Sequence, residues 1–431
     1  MTPEVFNRYD IRGQYPDEID ESFAERFGKA IGTYALQHNR TSVVIGHDTR
    51  EHSRHVYNAL SDGLRSTGVT VIDIELGPTD RLGMAAQHYG GMGVMVTASH
   101  HAWERTGFKI IYEQGYGIGN DDLDAIQSIY TEGEFITGEG TLINERYEFD
   151  EHYIETILEY LEDLPTCDGT IVLDCANGAT ASITPMLFEE AGFDVHTINN
   201  ATSGGGTEPE PRPANREQLE QTVSEMDADL GLAFDPDGDR VLAVHPDYGW
   251  LNGNEVGYLL GTIIDAETIT ASLDSSPVLE QAGDVTYTRV GDVFVSATGY
   301  EQDADLLVEP NGHYAITDLA WYNSGTIAGL FLATIHEEIP QRLADAPDYI
   351  TIRQSIEYAS DEAVEDAVAA AIRWAAKHHE ITSTDDGVKL QADETTILVR
   401  PSGTSTKVRI VANGRDQETI ETLIEELKDQ I

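Results

Sequence analysis

Short runs rich in valine and isoleucine recur along this chain with helix-like periodicity between them, and this alternation restricts the fold more than any other feature. The runs are Ser42–Ile45, Val69–Ile74, Gly93–Val96, Thr170–Leu173 and Leu230–Phe234. Strand-like runs separated by helical stretches predict βαβ units and layered α/β domains. Ahead of the first run, Phe23, Phe27, Ile31, Tyr34 and Ala35 recur at helical spacing and are predicted core contacts.

Three breaks divide the chain. A helix-like stretch from Tyr153 ends at Leu164 and Pro165 before Thr170 starts a fresh strand; a turn spans Gly249–Gly253; a Pro- and Asp-bearing stretch spans Ala344–Tyr349. The resulting divisions are residues 1–150, 151–254, 255–345 and 346–431. Within the third, Ala266–Asp305 is short for a full α/β domain. The last division reads as a small α+β unit: a strand, the alanine-rich helix Asp361–His378, two strands, and a terminal helix with Ile420, Leu423, Ile424 and Leu427 on one face.

The 431 residues carry 26 basic and 77 acidic side chains, a formal charge of -51. That sign argues against nucleic acid or an anionic membrane as a partner. Self-repulsion on this scale predicts a salt-rich cytoplasm, where at ~1 M salt charges are screened within ~3 Å. Only Cys167 and Cys175 occur, which implies no disulfide framework. No apolar run approaches the ~18 residues of a membrane span and no signal-like segment opens the chain, so a cytoplasmic protein is expected.

Five segments carry candidate chemistry. In GVMVTASHHAWERTGFKII an apolar run delivers Ser99 and His100 to a loop, and the next run leaves with Lys109. Lysine is scarce: of six, only Lys109 lies between positions 30 and 376. AFDPDGDRVL sets Asp235, Asp237 and Asp239 at alternate loop positions beside Arg240, a donor set for a hard divalent cation. An EF-hand is excluded, because Arg240 and Pro246 stand where its Gly and Glu are needed. Metal plus guanidinium suits phosphoryl chemistry. RPSGTSTKVR joins two strand-like runs and offers Arg400, Ser402, Gly403, Thr404, Lys407 and Arg409 to a phosphate dianion. EPNGH groups Glu309, Asn311 and His313 in a turn suited to a polyhydroxylated ligand, and FNRYDIRG places Arg8 and Arg12 in one segment.

In this order FNRYDIRG, VVIGHDTREHS, TASHH with Lys109, DPDGDR, TRVGD, EPNGH and RPSGTSTKVR resemble the α-D-phosphohexomutase family, and the opening motif resembles its phosphomannomutase/phosphoglucomutase branch more than the phosphoglucosamine mutases. The resemblance implies four domains, three similar α/β domains and a smaller C-terminal α+β domain, around a central cleft. It implies a phosphorylated Ser99, with one Mg²⁺ per chain held between its phosphate and Asp235, Asp237 and Asp239. His100 and Lys109 would transfer protons, with Arg12 and Arg240 near the moving group. Gly291, Asp292, Glu309, Asn311 and His313 would bind the sugar, and Arg400, Ser402, Gly403, Thr404 and Arg409 the resting phosphate. The implied reaction interconverts mannose or glucose 1- and 6-phosphates through a bisphosphorylated sugar, with hexose 1,6-bisphosphate as activator. Phosphoglucosamine mutation, or sugar-phosphate binding without catalysis, is the alternative, and a monomer or homodimer is expected. A lysine base would need its ordinary pKa of ~10.4 lowered.

The chain departs from the family's usual Ser-His-Asn-Pro in carrying His101, Ala102 and Trp103 after His100. Loss of the proline is expected to loosen the serine loop. Asn311 replaces a common serine, His47 a common arginine, and Ser405-Thr406 a common Glu-Pro.

Overall fold

Four β-sheets follow one another along the chain, each built from consecutive strands. The structure is a computed structural model and describes residues 5–6, 11–161, 164, 168–403 and 405–431. Arg8, Pro165, Cys167 and Thr404 of the sequence reading lie outside the described residues.

The first sheet holds β1 (Ile11–Gln14), β2 (Ser42–His47), β3 (Thr70–Leu76), β4 (Met92–Val96), β5 (Arg105–Ile111) and β6 (Leu142–Asn144), in the order β1-β5-β4-β2-β3-β6. Helices Glu21–Gln37, Ser53–Arg65 and Thr79–Tyr89 connect its parallel members, as the alternation predicts. The predicted helical stripe is buried: Phe27, Ile31 and Ala35 are 0 % exposed. Asp20 caps this helix by accepting from Phe23 N at 2.8 Å.

The second sheet holds β7 (Thr170–Asp174), β8 (Asp194–Ile198), β9 (Leu230–Phe234), β10 (Val241–His245) and β11 (Gly249–Trp250), in the order β11-β10-β9-β7-β8. The third holds β12 (Thr268–Ser272), β13 (Asp284–Thr288), β14 (Leu306–Glu309) and β15 (His313–Ile316), in the order β13-β12-β14-β15. The short section Ala266–Asp305 thus contains two strands and the helix Asp292–Gln302.

The fourth sheet is antiparallel, in the order β16-β20-β19-β18-β17, from β16 (Ile350–Glu357), β17 (Glu380–Ser383), β18 (Val388–Ala392), β19 (Thr395–Pro401) and β20 (Lys407–Gly414). Four strands rather than two follow its alanine-rich helix. The sequence hides β17 because two of its four residues face solvent and its apolar content is a single isoleucine.

Side chains of the first three sheets merge into one contiguous core, in which Val44, Leu173, Leu232, Leu306 and Phe331 are fully buried. The fourth unit has its own core around Ile397, Ile410 and Ile424, and meets the third through Leu273, Leu398 and Val411 with Tyr287 and Val290 packed beside them. Among the described residues no helix is long and apolar enough to cross a membrane.

Candidate active site

The site is assembled from loops at strand ends. β4 and β5 are antiparallel neighbours, and the loop between them carries Ser99 and His100 while β5 itself presents Lys109. Ser99 is 1 % exposed and adopts φ +50°, in the left-handed region that a non-glycine residue enters at a cost. Its N–H donates to Thr97 Oγ1 at 2.9 Å.

The hairpin between β9 and β10 carries the aspartates. Phe234 pairs with Val241, so the loop starts and ends on neighbouring rungs and its alternate side chains converge. Gly238 sits at φ +72°, and a Cβ there would lie 2.5 Å from Thr180 Cγ2, so this turn admits only glycine. Thr79, the first residue of its helix, donates from N to Asp237 O at 2.9 Å, while Gly325 N donates to Gly238 O at 2.9 Å. The aspartate loop is therefore gripped by elements of the first and third domains.

These two loops meet. Ser99 Oγ donates to Asp235 Oδ2 at 3.0 Å across 136 positions of sequence, and His100 Nδ1 lies 3.3 Å from the same hydroxyl. Lys109 Nζ is 2.7 Å from Asp237 Oδ2 and also bonds Asp239.

Asp235, Asp237 and Asp239 are each 0 % exposed and offer carboxylate oxygens within 4.8 Å of one another. Asp237 Oδ1 is buried without a hydrogen-bond partner. Three hard oxygen donors with unsatisfied lone pairs fit a divalent cation such as Mg²⁺. Burial, then Asp237 and Asp239, push the Asp235 carboxyl well above the usual range. Lys109, Arg240 and His313 offset part of the charge on these carboxylates.

The electrostatics separate the two candidate proton carriers. Burial opposes the Lys109 ammonium, but Asp237 and Asp239 outweigh it and hold its pKa well above that of a free lysine. The lowering that a lysine base requires is absent in this arrangement. His100 is pushed far down by burial, then by Arg240 and Arg12, and stands neutral. Burial also opposes the His313 imidazolium, yet Asp239 and Glu309 outweigh it and raise its pKa to about 9.

The predicted sugar residues cluster beside the aspartates. Glu309 accepts from Gly291 N at 2.9 Å through Oε1, and its Oε2 lies 3.0 Å from His313 Nδ1. His313 Nε2 is 3.4 Å from Asp239 Oδ1 and 3.0 Å from Arg240 Nε. Each oxygen of Glu309 thus has one partner inside the protein. Asn311 is exposed and its Oδ1 accepts from His313 N at 3.3 Å. Gly291, at φ +137°, starts the helix Asp292–Gln302. Asp292 lines a small pocket with Arg12, Lys109 and Tyr322.

The fourth domain joins through Asp386, whose Oδ2 accepts from Arg400 Nε at 2.6 Å and from Val290 N at 3.4 Å. Arg400 lies directly opposite Arg409 on the β19–β20 ladder. Like charges in that register repel, which an anion between them would relieve. Ser402 N donates to Lys407 O at 2.8 Å and closes the loop that holds exposed Gly403.

Four family descriptions match the chain: "Phosphoglucomutase/phosphomannomutase, alpha/beta/alpha domain I" over residues 3–137, domain II over 151–249, domain III over 252–349, and the C-terminal domain over 353–430. The chain belongs to the α-D-phosphohexomutase family. Among curated relatives, a "Probable phosphoglucosamine mutase" of Methanopyrus kandleri is 31 % identical over 99 % of this chain and 97 % of its own length. One of the same name from Pyrococcus horikoshii is 32 % identical, again over 99 % and 97 %. A crystal structure of a "Phosphoglucomutase/phosphomannomutase family protein" from Burkholderia thailandensis superposes with a TM-score of 0.88 at 23 % identity, covering 99 % of this chain and 96 % of that one. The four-domain α/β architecture is that of a phosphohexomutase, and members of this superfamily are phosphotransferring isomerases.

Sequence reasoning missed several residues of this phosphohexomutase site. Tyr322 stands with its ring centroid 5.7 Å from Lys109 Nζ. Thr79 holds the aspartate loop, and Asp48 with Arg50 underlies the serine loop. Asp48 and Arg50 lie within a motif that the sequence shows, HDTRE, but nothing in a linear pattern reveals what they touch.

Proposed function

We propose that this phosphohexomutase interconverts the 1- and 6-phosphates of a hexose by passing a phosphoryl group through Ser99. The observation that carries the reading is the 3.0 Å contact between Ser99 Oγ and Asp235, which sets a hydroxyl against three convergent carboxylates. In the first transfer, the O–P bond to Ser99 breaks as an O–P bond to the free sugar hydroxyl forms. The hydroxyl proton passes to His100, whose Nδ1 lies 3.3 Å from Ser99 Oγ and which returns a proton to that leaving oxygen. Lys109 stays an ammonium and offsets carboxylate charge. Asp235, Asp237 and Asp239 would hold Mg²⁺, which would supply positive charge to the phosphoryl oxygens. Arg12 and Arg240 flank the transfer, and Arg400 and Arg409 hold the phosphate that is not reacting. The bisphosphorylated sugar then reverses, and Ser99 recovers a phosphoryl group from its other end. A hexose 1,6-bisphosphate recharges any serine left unphosphorylated.

For the sugar, the names of the curated relatives favour glucosamine phosphate, the alternative of the sequence reading, over mannose and glucose phosphates. Half of the motif favouring the latter, FNRYDIRG, falls outside the described residues. Coupled assays with Mg²⁺ are expected to show turnover of a hexose 1-phosphate, fastest with glucosamine phosphate. Intact-mass analysis is expected to find one phosphate, on Ser99. Binding without turnover and an unphosphorylated serine would leave a non-catalytic sugar-phosphate binder; release of inorganic phosphate alone would make it a phosphatase.

The charge of -51 supports a salt-adapted protein. The melting temperature is expected to rise steadily from about 0.1 M to about 2 M KCl, as the screening length falls from ~10 Å to below ~3 Å. Calorimetry showing a flat or falling trend would remove that reading.

A further inference from the structure

Beneath the serine loop lies a buried arginine that the phosphoryl chemistry does not use directly. Arg50, whose side chain is 0 % exposed, pairs with Asp48 and donates from Nη2 to Ser99 O at 2.8 Å and to His101 O at 2.7 Å. It thus holds carbonyls on both sides of His100 and fixes the left-handed Ser99. Asp48 in turn accepts from Ser53 Oγ at 2.5 Å, Thr97 Oγ1 at 2.8 Å and Arg50 N at 3.1 Å, and Thr97 Oγ1 accepts from Ser99 N.

The same guanidinium lies 5.3 Å from the centroid of the Trp103 ring, and the indole N–H donates to Thr207 O at 2.7 Å in the second domain. Two further ties run parallel: Thr49 Oγ1 donates to Asn177 O at 2.8 Å, and Thr207 Oγ1 to Ala176 O at 2.9 Å. Two residues on, Ala179 N donates to Pro236 O at 2.7 Å, inside the aspartate loop. A continuous strap therefore runs from the serine backbone to the aspartates.

We propose that Arg50 and Trp103 are positioning residues that keep the Ser99 loop in register with the Asp235–Asp239 loop, the indole supplying the restraint that the absent proline does not. The proposal rests on the reading that Ser99 carries the phosphoryl group. A planar guanidinium can serve two carbonyls and a carboxylate at once, which a lysine ammonium on a flexible stem does not reproduce. Misplacement of a reacting group by ~1 Å costs about 100-fold in rate.

The experiment compares Trp103→Phe, which keeps a ring but loses the N–H, with Arg50→Lys. Steady-state kinetics on hexose phosphate, single-turnover transfer from phosphorylated Ser99, and melting temperature are read for each. Trp103→Phe is expected to melt as the wild type does, with kcat about 10-fold lower and KM within about 3-fold; Arg50→Lys is expected to lose about 100-fold in kcat. Unchanged kcat in Trp103→Phe beside an active wild type overturns the proposal, as does a loss in both variants that follows the melting temperature alone. A silent wild type instead defeats the phosphoryl reading. The strap is then judged by hydrogen exchange at the Ser99 and His101 amides: faster exchange in Trp103→Phe supports it, and an unchanged rate rejects it.

Discussion

Ser99→Ala is expected to abolish mutase turnover, by about 10⁴-fold or more, the scale on which removal of a nucleophile acts. Ser99 is 1 % exposed and its Oγ is the hydroxyl 3.0 Å from Asp235, so alanine removes the proposed phosphoryl carrier itself. The alanine variant keeps Arg400, Arg409 and the other groups proposed to hold the resting phosphate. Affinity for hexose phosphate, measured by calorimetry on both proteins, should therefore stay within about 3-fold, because charge-assisted contacts to the distal phosphate are untouched. Loss of turnover with retained binding separates chemistry from recognition. Retained turnover in the alanine variant would mean that phosphoryl transfer runs without a covalent serine intermediate.

The second large effect is expected at Asp235, and it has two parts of opposite sign. Asparagine has the shape of aspartate and still accepts from Ser99 Oγ, but it lacks the charge. Activity should fall by about 100-fold to 1000-fold, the range for loss of one preorganised electrostatic group, and half-saturation for Mg²⁺ should rise. Stability without metal should move the other way. Burial, then Asp237 and Asp239, raise the Asp235 pKa well above its unfolded value. The folded protein therefore resists ionisation of this group, and its contribution to stability, full below the unfolded carboxylate pKa, is lost as pH rises from there through the raised folded pKa. A neutral isostere removes that loss. In EDTA near neutral pH, Asp235→Asn should melt at or above the wild-type temperature, and in excess Mg²⁺ below it. Lower melting in EDTA, with unchanged Mg²⁺ half-saturation, would show that Asp235 is a structural carboxylate and not a metal ligand.

Much of the fold could be read from local pattern. The runs at Val43, Ile72, Val94, Ile171 and Leu232 became strands because branched side chains at that spacing suit a pleated, buried surface. The stripe from Phe23 to Ala35 became one face of a buried helix. The fourth domain was less legible, since β17 buries little and its polar alternation looks like a loop.

The sequence by itself determined which side chains the site contains. Asp235, Asp237 and Asp239 sit at alternate positions of one hairpin, so their convergence follows from local geometry and from the glycine at 238. Only the tertiary structure decided what these groups meet and hence how they act. The serine and the aspartate it bonds are 136 positions apart, and their meeting depends on the core that the first three sheets share. Lys109 stands out in the sequence as a lone amine, yet its seat between Asp237 and Asp239 makes it a retained cation. Glu309 and His313 look like free polar groups in a turn, and folding sets them against Gly291 and Asp239. Periodicity and turn chemistry are encoded within a few neighbouring residues, whereas charge state and partnership depend on burial among distant ones.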